Sequence, residues 1–222
     1  MMAWKVYVAG AFLFVSLGIG LTFLGDKGHF LLWLSAHRTP VADQYFYHIT
    51  KLGEDFGYII IGLILWLSSW RKMAVMAILG VVVSIFSYVL KNLFDQERPA
   101  LYLKRIGWDG PMNVMGYQLL TGHASFPSGH SMAAWALFTF TAALIRKTWV
   151  SLLCLFLAVS VSISRVYLMA HFLRDVIAGA AVGFSLGYGM YLLYDQWMKK
   201  NSLKHAFDKA SKADNANTAD TI

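Results

Sequence analysis

A chain with six apolar runs separated by polar breaks has few places to fold other than a lipid bilayer. The runs cover residues 6–24, 56–70, 73–90, 131–145, 149–163 and 176–194. A helix crossing the hydrocarbon core needs roughly 17–25 residues. The longer runs meet that length alone. The shorter ones reach it when flanking polar residues are buried against protein or extend to the interface. A water-soluble helix would carry a polar face, and these stretches hardly have one: 58% of the chain is hydrophobic and only 14% charged. The expectation is an all-α integral membrane protein built as a six-transmembrane-helix bundle. Residues 1–198 form its membrane domain, and residues 199–222 a polar tail expected to be partly disordered. The run at 6–24 follows a single lysine and precedes no small-x-small cleavage site, so it reads as an uncleaved first helix rather than a secretory signal.

The formal charge of +7 raises nucleic acid as a partner, but the basic residues fall at helix ends instead of on one soluble face. Six crossings put both termini on the same side, together with Lys5, Arg71, Lys72, Arg146, Lys147 and the tail that begins at Lys199. The short loops on that side are basic with no intervening acid, which favours it as the cytoplasmic side. The segments 26–55, 91–127 and 164–171 then lie on the outer side, the extracytoplasmic face of the membrane. The single cysteine, Cys154, lies in an apolar run and reads as a buried side chain.

Three polar islands fall on that outer side. The first, KNLFDQERP at 91–99, contains Lys91 and Arg98. Taken alone, these suit a helix C-terminus and an interfacial exit before Pro99. The second, SFPSGHS at 125–131, looks like a helix start capped by Ser128, where Gly129 lets an anion approach the exposed amides and His130 sits in the first turn. The third, SISRVYLMAHFLRD at 162–175, carries Arg165, His171 and Asp175. On a helix, His171 and Asp175 share a face, so the carboxylate could accept from one ring nitrogen and leave the other free. Ionisable groups beside a span mark function. Together the islands supply three cations, a helix N-terminus, two histidines and a carboxylate. Cations and amides fit a phosphoryl group; of two histidines, one can attack phosphorus and the other protonate the departing oxygen. Carboxylates are too few to hold magnesium, so metal-free chemistry with no cofactor is expected. His29, His37, His48 and His205 are too scattered for a metal site.

The islands read Lys91-NLFDQE-Arg98-Pro99, Pro127-Ser128-Gly129-His130 and Ser164-Arg165-VYLMA-His171-FLR-Asp175. In this they resemble the type 2 phosphatidic acid phosphatase superfamily, whose motifs are K-x6-R-P, P-S-G-H and S-R-x5-H-x3-D; every fixed position matches, in order. The resemblance implies that His171 is the nucleophile, Asp175 its orienting partner and His130 the general acid. It also implies that Lys91, Arg98, Arg165, Ser128 and Gly129 bind phosphate, with Ser164 as a candidate supporting residue; His123 is a second such candidate because it lies close to the second island. The implied activity is hydrolysis of a phosphate monoester or pyrophosphate on a membrane lipid through a phosphohistidine. A bacterial envelope lipid is the expected substrate, with undecaprenyl pyrophosphate ahead of the phosphatidylglycerophosphate, phosphatidate, diacylglycerol pyrophosphate and lipid A alternatives. Segments 25–55 and 104–124 are the expected variable walls of the site. Two other readings stand beside it: lipid-to-lipid phosphotransfer by the same residues, and a non-enzymatic transporter, which would place ionisable groups near several helix midpoints instead of at one edge. The sequence leaves the oligomeric state open.

Overall fold

A computed structural model describes residues 2–110, 117, 119 and 121–219. Parts of the expected 104–124 wall and the last residues of the tail lie outside the described residues. Among those described, the protein is all-helical. The helices are α1 (Met2–Thr22), α2 (His29–Ala36), α3 (Pro40–Ile49), α4 (Asp55–Trp66), α5 (Trp70–Phe94), α6 (Pro99–Arg105), α7 (Gly129–Ile145), α8 (Thr148–Tyr167) and α9 (Leu173–Ala219), with a 3-10 turn at Thr50–Gly53. Local chemistry sets several of these ends. Thr39 caps α3, its hydroxyl accepting from the Ala42 N–H, and Pro40 occupies the first helical position where no N–H is needed. Asp95 and Arg146 end α5 and α7 in the left-handed conformation.

Helix α7 is the axis of the bundle. Its side chains from Ser131 to Ala143 are buried almost without interruption, as expected of a helix that is apolar all round. The closest packing is with α9, where Gly179, Gly183 and Gly187 face the backbone of α7. A Cβ at these three positions would come within 2.5, 2.2 and 2.4 Å of the carbonyl oxygens of Ser128, Met132 and Ala136. The glycine period of four on α9 thus answers a carbonyl row of the same period on α7, because small residues let two helix backbones approach closely. Tyr7 of α1 adds a buried hydroxyl contact to Thr139 at 2.9 Å, and Trp4 and Tyr7 stack with Phe184 of α9.

Among the described residues, four helices are long and apolar enough to cross a bilayer: α1, α5, α8 and the part of α9 to Lys204. The other two apolar helices, α4 and α7, have 12 and 17 residues, or roughly 18 and 25 Å of helix. The run expected at 56–70 is interrupted earlier than its hydropathy implies. Ser68 donates its hydroxyl to the Leu65 carbonyl, the Ser69 N–H donates to the same oxygen, and the chain restarts as α5 at Trp70. Phe12, Leu13, Ile78 and Phe156 stand exposed around the outside, apolar surface that suits a lipid surround. The protein is therefore a membrane protein. At one end of the bundle, the C-termini of α5 and α8 meet the N-termini of α4, α7 and α9, and the three polar islands lie there.

Candidate active site

The tight turn between α8 and α9 carries His171. Ala170 and His171 both donate their backbone N–H to the Arg165 carbonyl, at 3.0 and 3.1 Å, and Met169 takes a positive φ of 55°. His171 therefore precedes α9 instead of riding on it, and only Asp175 lies in the first helical turn. Asp175 is fully buried; its Oδ2 accepts from the Phe172 N–H at 3.1 Å and from the Ser125 hydroxyl at 2.6 Å. The His171 Nδ1 stands 3.7 Å from that oxygen, beyond hydrogen-bond range, and 3.4 Å from Ser125 Oγ. The direct imidazole–carboxylate bond expected from the i,i+4 spacing is thus replaced by a bridge through Ser125. With its own proton given to Asp175, the Ser125 oxygen can only accept from the ring. This assigns the imidazole proton to Nδ1 and leaves Nε2 with a lone pair. Burial pushes the His171 pKa down to about 3, aided by the Arg165 and Arg98 charges and opposed by Asp175, so the ring is neutral at neutral pH.

The second island closes on the first and third through the backbone. Ser128 caps α7, its hydroxyl accepting from the Ser131 N–H, while its own N–H donates to the Asp175 carbonyl at 2.9 Å. Gly129 lies against α5: a Cβ there would sit 3.4 Å from Lys91 Nζ and 2.9 Å from Ser87 Oγ. Glycine at this position is what lets the ammonium approach the start of α7. The segment leading to α7 is pinned to the first island, with Arg98 N–H bonded to Gly122 O and Ser125 N–H to Gln96 O, both at 2.9 Å.

Two arginines complete the cluster, both nearly fully buried. Arg98 donates Nε to His123 O, Nη2 to Ala124 O and Nη1 to Ala170 O, at 3.2, 3.2 and 3.4 Å. It ties the approach to α7 to the His171 turn, and two of its five N–H groups remain. Arg165 donates Nη1 to Thr50 Oγ1 and Nη2 to Tyr117 OH, each at 2.6 Å. His130, in the first turn of α7, places Nε2 3.0 Å from Glu54 Oε1. That hydrogen bond is the main reason the Glu54 carboxyl is held below its ordinary range, with the charges of His130, Arg165 and Lys51 adding to it. The two supporting candidates are used otherwise. Ser164 donates its hydroxyl to Val161 O within α8, and His123 sets Nδ1 against Asp95 O at 3.1 Å, its side chain more than half exposed.

Sequence reasoning did not single out Ser125, Thr50, Glu54 or Tyr117. Ser125 opens the second island and could have been suspected from it. Thr50 and Glu54 lie in the expected 25–55 wall and Tyr117 in the 104–124 wall, but which side chains those walls contribute becomes visible only when the chain folds. From the cluster a cleft of about 950 Å³ runs between α4, α5 and α7. Glu54, Lys91, Gly129 and His130 form its polar end, and Ile59, Val81 and Ile85 contribute to its apolar walls. An anion at the polar end would meet the Lys91 ammonium and the start of α7 at Gly129, with His130 and Glu54 beside it.

The comparisons with known proteins identify the family and the fold. Residues 57–199, more than half of the chain, match the family model described as the PAP2 superfamily. The chain is 26% identical to YbjG of Escherichia coli (strain K12), provisionally named an undecaprenyl-diphosphatase, over 63% of this chain and 73% of that protein. It is 27% identical to the lipid A 4'-phosphatase of Porphyromonas gingivalis, over 73% and 70% of the two chains. Among solved structures, the fold is similar to that of the first transmembrane PAP2 type phosphatidylglycerolphosphate phosphatase from Bacillus subtilis. The TM-score is 0.60 at 23% identity, covering 86% of this chain and 96% of the other. With three motifs in order, one buried cluster that unites them and a family match across the helices that carry it, this chain belongs to the PAP2 superfamily.

Proposed function

We propose that the protein hydrolyses a phosphate monoester or pyrophosphate on a membrane lipid, without a metal, through a phosphohistidine at His171. The observation that carries this reading is the buried, neutral His171 with its proton on Nδ1, among Arg98, Arg165 and the α7 N-terminus that Lys91 abuts. In the first step the His171 Nε2 lone pair forms the N–P bond. The bond from phosphorus to the lipid oxygen breaks, its electron pair stays on that oxygen, and His130 donates the proton. In the second step His130 takes a proton from water, the water oxygen attacks phosphorus, and the N–P electrons return to His171. Lys91, Arg98, Arg165 and the amides around Ser128 and Gly129 stabilise charge on the transferring group.

The lipid chains occupy the apolar cleft between α4 and α5. Six crossings place both termini in the cytoplasm and the site at the outer face of a bacterial inner membrane. The short basic turns at Arg71–Lys72 and Arg146–Lys147 support that orientation. Undecaprenyl pyrophosphate or a related envelope lipid is the proposed substrate, supported by the names of the relatives.

The test is phosphate release by the purified protein in detergent across undecaprenyl pyrophosphate, phosphatidylglycerophosphate, phosphatidate and lipid A. It is paired with acid-quench trapping of labelled phosphate on the enzyme. The expected result is a labelled histidine, lost in His171→Ala, with free phosphate as product. Label on another residue overturns the nucleophile assignment, loss of activity in EDTA overturns metal independence, and label on a second lipid overturns hydrolysis in favour of transfer.

A further inference from the structure

We infer that Glu54 is a positioning residue for His130, holding it in place and keeping a proton on it for the leaving oxygen. The inference rests on the proposed role of His130 as general acid. No motif contains Glu54; it stands between the 3-10 turn at Thr50–Gly53 and α4, so chain folding alone brings it to the site. Its Oε1 lies 3.0 Å from His130 Nε2. An ionised carboxylate only accepts hydrogen bonds, so this ring nitrogen carries a proton.

The need for such a partner follows from the surroundings of His130. Burial holds the ring below the usual imidazole range, and Arg165 of α8 and Lys91 of α5 add to that push, each favouring the neutral imidazole. A neutral imidazole supplies a leaving alkoxide with a proton poorly. Glu54 is the carboxylate that acts on it in the opposite sense. The backbone holds the pair together tightly: a Cβ on Gly53 would come within 2.9 Å of His130 O and 2.8 Å of Val161 Cγ1. The site thus holds two histidines of opposite demand. His171 has its carboxylate set back behind Ser125 and stays neutral, whereas His130 has a carboxylate directly on the ring.

Glu54→Gln keeps the size and a hydrogen bond and removes the charge. With phosphatidate, whose leaving group is an alkoxide, kcat should fall about ten- to a hundredfold while KM changes little. With p-nitrophenyl phosphate, whose leaving group needs little protonation, the loss should shrink to within a few-fold. The alkaline limb of the phosphatidate pH profile should move to lower pH, because Lys91 and Arg165 then act on His130 unopposed. Glu54→Asp should recover part of the rate. In a His130→Ala background, Glu54→Gln should cost almost nothing more. Equal losses on both substrates, an unmoved alkaline limb, or additive losses in the double variant would overturn the positioning role. A faster Glu54→Gln enzyme with lower KM would also overturn it, because the carboxylate would then be competing with phosphate. A fully active His130→Ala enzyme would instead overturn the general-acid assignment on which the inference stands.

Discussion

Ser125→Ala tests the site where structure and sequence differ most. The hydroxyl donates at 2.6 Å to Asp175 Oδ2 and stands 3.4 Å from His171 Nδ1, and both partners are buried. Removing it takes one of two hydrogen bonds from Asp175 Oδ2, the other being the Phe172 N–H, and leaves Nδ1 facing a carboxylate oxygen 3.7 Å away. Hydrogen bonds to charged groups are worth about 1.5–3 kcal/mol. If that loss falls on the orientation of His171 in the transition state, it corresponds to roughly a ten- to 150-fold drop in rate. The assay is steady-state phosphate release in detergent with kcat and KM separated. The drop should appear in kcat, because the cations that hold phosphate are untouched. Ser125→Thr, which keeps the hydroxyl, should recover much of the rate, and Ser125→Ala should add little in an Asp175→Asn background. A Ser125→Ala enzyme within twofold of the parent would refute the bridge and return Asp175 to direct contact with the ring.

Two further predictions concern the scaffold. Gly183→Ala puts a Cβ 2.2 Å from the Met132 carbonyl oxygen, a contact with backbone that no side-chain rotation relieves. The two helices must separate, at a cost of about 1–3 kcal/mol, read as a lowered thermal unfolding temperature in detergent. The second concerns pH. His171 titrates near 6.5 in the unfolded chain and at about 3 in the folded one, so below pH 6.5 the unfolded state takes up a proton that the folded state refuses. Its contribution to stability is complete above that pH and is lost progressively toward pH 3. Unfolding temperatures measured between pH 7 and 4 should fall less steeply for His171→Gln than for the parent. Equal slopes would show that the imidazole is not held neutral by burial.

The apolar runs by themselves determined that the chain is helical and belongs in a membrane. In residues such as 131–145 a twofold alternation is confined to Phe138–Thr141, and no polar face exists to dissolve them. The spacing within the three islands likewise determined which histidines, cations and carboxylate belong together, because their types and order carry the chemistry before any contact is known. The glycine period in 179–187 was legible for the same reason: a four-residue repeat of absent side chains is a packing face wherever it meets another helix.

Other features were decided only by tertiary structure, because they depend on where separate segments meet. Ser68 and Ser69 end α4 through bonds to Leu65 that hydropathy does not record. The i,i+4 spacing of His171 and Asp175 predicted a shared helix face, but the turn bonded to the Arg165 carbonyl keeps His171 off the helix and opens room for Ser125. Arg98 and Arg165 look like free cations in the sequence. In the fold they also hold His123, Ala124, Ala170, Thr50 and Tyr117, because a guanidinium buried in a membrane domain must spend its N–H groups on whatever acceptors surround it. Glu54 is the plainest case. Its sequence neighbourhood says nothing of His130, 76 positions away, and only the packing of the Thr50–Gly53 turn against the start of α7 gives that carboxylate a partner.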